Sequence, residues 1–142
     1  MEFRRVKITD SELLLLWRND PETRANSLDS AEVSRATHEA WLQATLQSKQ
    51  RMLFIAEESG HPVGTVRLDC GDRDCELSWT VAPAFRGKGK GKELVAKASG
   101  LTDLPLTARI LEKNEASMRI AKSAGFTLVK TENGVTHWKK TK

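Results

Sequence analysis

The sequence predicts a mixed α/β fold, of the α+β kind, on one largely antiparallel sheet. Three observations predict it. Seven short segments alternate or run apolar in the manner of strands, and most adjoin a neighbour across turn residues, as antiparallel hairpins do. A helical segment lies between two of these strands, at 75–81 and 105–111, and such a crossover sets its strands side by side in parallel. The chain has 142 residues, the length of one ordinary domain with a single core.

The elements follow in order. FRRVKI (3–8) alternates and reads as the first strand. In TDSELLLLWRND, Thr9, Asp10 or Ser11 caps a helix with Glu12 in its first turn, and Pro21 ends it near Asn19 and Asp20. A turn and a short helical piece fill 21–28. SRATHEAWLQATLQS (34–48) is amphipathic: Ala36, Ala40, Trp41 and Ala44 recur at helical spacing, and Leu42, Thr45 and Leu46 widen the face. RMLFIAEE (51–58) and PVGTVRLDC (62–70) are strands joined by the ESGHP turn. CELSWTV (75–81) follows GDRD and stops at Ala82-Pro83. A helix at 91–99 leads to the strand PLTARIL (105–111). NEASMRIAKSAG (114–125) is a helix closed by Gly125. FTLVK (126–130) and VTHWKK (135–140) are strands joined through Asn133-Gly134, a strong hairpin turn.

Composition excludes several classes. With 39% hydrophobic and 30% charged residues the chain has a globular balance. Its longest apolar run, 13–17, falls far short of the roughly 20 residues a membrane span needs. The start, MEFRRVKITD, lacks the apolar core of a secretory signal, so a cytoplasmic location is expected. The net charge of +4 is unevenly placed: Arg86, Lys88, Lys90 and Lys92 share one loop, and Lys139, Lys140 and Lys142 form a basic tail expected to be solvated. The basic residues are not interleaved with aromatics as single-strand binders require, which argues against nucleic acid. Cys70 and Cys75 face each other across a tight hairpin. A disulfide is geometrically open to them, but a cytosolic pair is more often reduced. Their spacing does not suit zinc, and His38, His61 and His137 do not cluster, so no metal is expected. The chain has no tyrosine.

The loop FRGKGKGKEL (85–94) carries the chemistry. Its glycines, Gly87, Gly89 and Gly91, are spaced G-x-G-x-G, which fits neither the dinucleotide fingerprint nor the P-loop. The physics still points to phosphate. Glycines let successive amide N–H groups turn toward one anion, and the loop opens into a helix whose first turn offers unpaired donors. A diphosphate suits such a site.

Arg86-x-x-Gly89-x-Gly91, after LSWTVAPAF, resembles the Q/R-x-x-G-x-G/A loop of the GCN5-related N-acetyltransferase (GNAT) superfamily. NEASMRIAKSAGF (114–126) is similar to that family's later motif, with Asn114 and Ser117 at its start and Gly125-Phe126 at its end. The resemblance spans essentially the whole chain. It implies acetyl-CoA as co-substrate, and a GNAT-like, mostly antiparallel central sheet of about six or seven strands with about four flanking helices. It also implies that the strands at 75–81 and 105–111 splay apart in mid-sheet, so that unpaired backbone there meets the pantetheine arm. The implied cofactor contacts are Trp79, Thr80, Val81, Arg86, Gly87, Lys88, Gly89, Lys90, Gly91, Asn114 and Ser117. Glu76, on the strand beside the cofactor, is the first choice for a general base, against a surface residue paired with a cation. A backbone N–H near Val81 serves the oxyanion. The tyrosine that many members use as general acid matches Ala121, which leaves Ser117 or water.

The run W-R-N, a later arginine and then His-x-x-Trp, within 13–42, is similar to acetyltransferases of nucleotide-linked amino sugars. It also resembles those of ribosomal-protein N-termini. On that reading Trp17 stacks on a base or sugar ring, and Arg18 and Arg24 pair with a substrate phosphate. The plainer reading makes Trp17 and Trp41 core anchors of their helices. The expected partners are acetyl-CoA and a small-molecule or peptide amine, with no membrane. The chain is expected to be a monomer or homodimer, the dimer pairing through the strand at 135–140. A coenzyme A sensor without transferase activity is the alternative.

Overall fold

The computed structural model describes residues 1–141; Lys142 of the basic tail lies outside them. The first strand, β1 (Glu2–Arg5), is shorter than its alternation suggests. The Asp10 carboxylate accepts the Lys7 N–H at 2.8 Å and pairs with Arg4 at 2.9 Å, which bends the chain out of the strand. Helix α1 (Ser11–Arg18) follows one 3-10 turn. Next come α2 (Pro21–Ala25), capped by Asp20 through the Thr23 N–H at 3.0 Å, and α3 (Arg35–Gln47), capped by Ser34. Strands β2 (Arg51–Glu58), β3 (His61–Cys70) and β4 (Cys75–Val81) form an antiparallel meander. Helix α4 (Lys90–Ala98) crosses to β5 (Leu106–Leu111), and α5 (Glu115–Ser123) leads to β6 (Thr127–Glu132) and β7 (Val135–Lys140).

The strands form one sheet in the order β1-β2-β3-β4-β5-β7-β6. Every neighbouring pair is antiparallel except β4 and β5. The expected class and the central parallel pair are both present. One face of the sheet packs on α4 and α5, burying Leu77, Leu94, Val95, Leu106 and Ala121. The other face carries α1 and α3 over Leu42, Leu53 and Ile55. Each buried leucine or isoleucine contributes about 1.5–3 kcal/mol.

Two expectations change here. Strand β7 lies between β5 and β6, with both edges paired, so it has no free edge for a second copy; β6 is the outer strand. Lys139 and Lys140 end β7, as the strand at 135–140 expects, and Lys139 is exposed. Cys70 and Cys75 are joined in a disulfide and not left as the reduced pair expected. The tight turn sets them directly opposite, with Cα atoms 4.0 Å apart. No helix among the described residues is long and apolar enough to cross a membrane.

Candidate functional site

The parallel pair is closed only at its start, where Cys75 faces Leu106 and Glu76 faces Thr107. The Cys75 N–H donates to the Pro105 carbonyl at 3.0 Å, so alternate residues of β4 present their N–H groups on that same edge. Beyond the last rung, the backbone N–H groups of Trp79 and Val81 therefore face an open gap. Ser78 and Thr80 direct their side chains to the α1–α3 face, and Leu77 to the opposite one.

A groove of about 630 Å³ runs from this gap across the glycine loop. Gly87 and Gly89 hold left-handed backbone at φ 73° and 76°, which a residue with a Cβ rarely adopts. Gly89 caps α4, whose first amides have no partner within the helix. Gly91 serves otherwise: a Cβ there would stand 2.6 Å from Ile120 Cδ1, so its absence lets α4 and α5 approach. Asn114 accepts the Ser117 N–H at 3.2 Å and caps α5, and both residues line the groove.

The loop's charges are less free than its composition suggests. The Arg86 guanidinium donates to the Asp20 carboxylate and, at 2.9 Å, to the Thr23 hydroxyl, and pairs with Glu22 at 2.7 Å. Arg86 thereby holds the Asp20 carboxyl below the usual carboxylate range. Lys90 pairs with Glu58 at 2.7 Å. The Lys88 ammonium lies 5.6 Å from the centre of the Phe85 ring, and Lys88 does not line the groove. These contacts correct the picture of four cations free to attract an anion. Lys92 and Arg119, which line the groove, make no ion pair among the described residues. Arg119 was invisible to the motif reading, because its helix was read for Asn114 and Ser117.

A second cavity, of about 210 Å³, lies on the α1–α3 side of β4. Thr23, Ser27, Trp79 and Thr80 line both cavities, so the two meet where β4 leaves β5. Trp17 is both core and wall: it is buried, packs in the helical layer, and lines this cavity. Arg18, Arg67 and His38 gather around Trp41. The two guanidiniums lie 5.1 and 5.8 Å from its ring centre, and the imidazole stacks at 5.9 Å. His38 is 1% exposed. Neither ring nitrogen makes a hydrogen bond within ordinary limits, although the nearby Ser11 backbone favours the protonated ring slightly. Burial, and secondarily the charge on Arg18, pushes the His38 proton affinity below its ordinary value.

Two expected site residues lie elsewhere. Arg24 donates from Nε to the Ser30 carbonyl at 3.1 Å and lines neither cavity. Glu76 sits on the last closed rung, and Arg109 of β5 donates to its carboxylate at 3.1 Å. It too lines neither cavity. Closure of the rung brings Arg109 alongside and engages the carboxylate, which favours the reading of Glu76 as a residue paired with a cation. Glu76→Gln should leave kcat within a few-fold of the parent, as surface ion pairs contribute only about 0–1 kcal/mol. A drop of a hundredfold, with acetyl-CoA affinity retained, would restore the residue to the mechanism.

The family model for the acetyltransferase (GNAT) domain matches residues 1–127. The chain belongs to the GNAT acetyltransferase family. It is 29% identical over 96 residues to the uncharacterized N-acetyltransferase YfmK of Bacillus subtilis (strain 168), a match spanning 65% of each protein's length. Its fold superimposes on spermidine N-acetyltransferase from Vibrio cholerae, solved with CoA and spermine, with a TM-score of 0.87. That likeness has 16% identity and covers 98% of this chain and 94% of the other. A structure of aminoglycoside acetyltransferase AAC(6')-Ib with coenzyme A and kanamycin gives a TM-score of 0.82 at 20% identity, covering 98% of this chain and 93% of the other.

This GNAT domain has a groove that fits a coenzyme A ester on features of its own. Left-handed glycines and an uncapped helix start supply amide donors for a diphosphate. The unpaired backbone of Trp79 and Val81 offers a strand edge to an extended amide chain. Ala121, at the position of the family's tyrosine, is fully buried and reaches neither cavity.

Proposed function

We propose that residues 1–142 act as one acetyl-CoA-dependent N-acetyltransferase domain, moving an acetyl group to the primary amine of a small molecule in a ternary complex in the cytosol. One observation carries this reading: a groove suited to the coenzyme and a second cavity meet at Trp79 and Thr80, beside the open strand edge.

The coenzyme supplies the acetyl thioester. The amides of the glycine loop and the start of α4 hold its diphosphate, and Asn114 and Ser117 flank it from α5. The Val81 N–H, facing the gap, donates to the oxygen that gains charge on attack. Among the described residues lining the acceptor cavity, His38 is the side chain that is neutral near pH 7 and able to take the amine proton. Ser117 or water returns a proton to the thiolate, a fairly acidic leaving group with thiol pKa near about 8.5. The acceptor is an amino sugar. Trp17 and Trp41 offer flat walls to a ring, and the cavity has room for one sugar, so that a linked nucleotide would lie outside it.

Calorimetry with acetyl-CoA and thiol-release assays over a panel of amino sugars test this reading. His38→Gln should lower kcat by about 10² to 10⁴ and leave acetyl-CoA affinity unchanged. The parent's rate should fall in acid through a value below the ordinary histidine 6.5, as the ring protonates, and the variant should lose that limb. Absence of acetyl-CoA binding to the folded protein would refute the transferase reading.

A further inference from the structure

The acceptor cavity is unusual in its charge. Among the described residues three titratable side chains line it, Arg18, His38 and Arg67, and no carboxylate does. Arg67 is partly engaged: its Nε donates to Asp69 at 3.0 Å, and Asp69 is shared with Arg51, also at 3.0 Å. The residue lines the cavity, and its guanidinium carbon lies 5.8 Å from the centre of the Trp41 ring. Arg18 makes no ion pair among the described residues, and its Nη1 is buried without a hydrogen-bond partner. The one acid that bears on it, Asp29, is solvent-exposed and forms no bridge to it. Burial and then the charge of Arg67 disfavour the charged form of Arg18. Guanidiniums lose protons only at very alkaline pH, so Arg18 brings to the cavity a positive charge that no ion pair among the described residues offsets. An unmet buried donor beside a second cation is the arrangement that a two-oxygen anion relieves, since each guanidinium matches a carboxylate or phosphate edge.

We propose that Arg18 and Arg67 form an oxyanion site beside Trp41, and that the acceptor is a primary amine that also carries a carboxylate or a phosphate. The amine points toward Thr80, where the two cavities meet, and the anion lies against Arg18 and Arg67 beside Trp41. Polycationic acceptors are excluded by the same charge. The substrate class rests on the transferase reading above; the anion site does not.

Two matched pairs separate the sources of the anion: glucosamine 6-phosphate against glucosamine, and an α-amino acid against its carboxamide. In one pair the charged member should show a kcat/KM at least about tenfold higher, the usual strength of a charge-assisted hydrogen bond. That ratio should fall toward one in Arg18→Gln. Arg67→Gln, on a different element, gives the same readout should the first variant fold poorly. Spermidine serves as the polycationic probe. A preference for spermidine, or a ratio that survives in both variants, would overturn the proposal. Binding is read independently of turnover. Three tryptophans line the cavity, so inorganic phosphate or acetate titrated into the coenzyme A-saturated protein should give a saturable fluorescence change that Arg18→Gln abolishes. No such change with either anion overturns the site. If the change is present and no amine is acetylated, the transferase reading fails and the oxyanion site stands.

Discussion

Gly64→Val is expected to lower stability by about 1–3 kcal/mol, as overpacking does, and to reduce acetyl transfer by more than that loss alone predicts. Gly64 of β3 faces Val81 of β4. A Cβ built on it would stand 2.5 Å from the Thr80 carbonyl oxygen, 3.4 Å from Val81 Cα and 3.5 Å from Leu94 Cδ1. The nearest of these is backbone, which cannot rotate aside. Room must come from moving β3 away from β4 at the rungs that hold Thr80 and Val81. Those rungs also aim the Trp79 and Val81 N–H groups into the gap, so the damage falls on the site as well as on the sheet. The melting midpoint should drop by roughly 3 to 12 °C. Gly100→Ala is the control: nothing lies within 4 Å of its Cβ and its φ is ordinary, so both stability and turnover should hold. A Gly64→Val protein that melts and turns over like the parent would show that the strand contact does not govern the splay.

Gly89→Val should cut acetyl-CoA affinity by roughly 10² to 10⁴ while costing the fold only about 1–2 kcal/mol. Space is not the reason, since nothing lies within 4 Å of a Cβ at this position. The reason is φ 76° at the cap of α4. A β-branched residue moves the peptide plane toward negative φ and turns the following amides away from the anion. Two charge-assisted hydrogen bonds lost at about 1.5–3 kcal/mol each give the range stated. Gly91→Ala is expected to be milder, because the group it meets is the mobile end of Ile120. Calorimetry separates the outcomes, with circular dichroism confirming the fold. Normal affinity in Gly89→Val would mean that the diphosphate is held elsewhere.

What could be read along the chain was what is locally encoded. Glycines at alternate positions before a helix need no distant partner to imply exposed amides. The alternation in CELSWTV told which side chains share a face, and Asn114 with Ser117 marked a helix start in any tertiary setting. The charged residues were another matter. Arg86 looks like a free phosphate ligand until Asp20 and Glu22, more than sixty positions upstream, close on it. Glu76 looks like a base until Arg109 arrives from the neighbouring strand. Arg18 and Arg24 looked equivalent, six residues apart; one enters the cavity and the other ties off a loop.

His38 shows the limit most clearly. It was read as an isolated histidine within a His-x-x-Trp pattern, and nothing adjacent to it in the sequence supplies chemistry. Packing of α3 on the sheet sets it beside Arg18 from α1, Arg67 from β3 and Thr80 from β4. The sequence by itself determined the mixed fold, the central parallel pair and a glycine loop ahead of a helix, because periodicity and backbone freedom are properties of neighbouring residues, while the splay of that pair came with the family resemblance. Only the tertiary structure decided which charges are spent on partners and which remain for a ligand. Electrostatic pairing acts through space over a few ångströms, and the residues it joins are separated along the chain by whole elements.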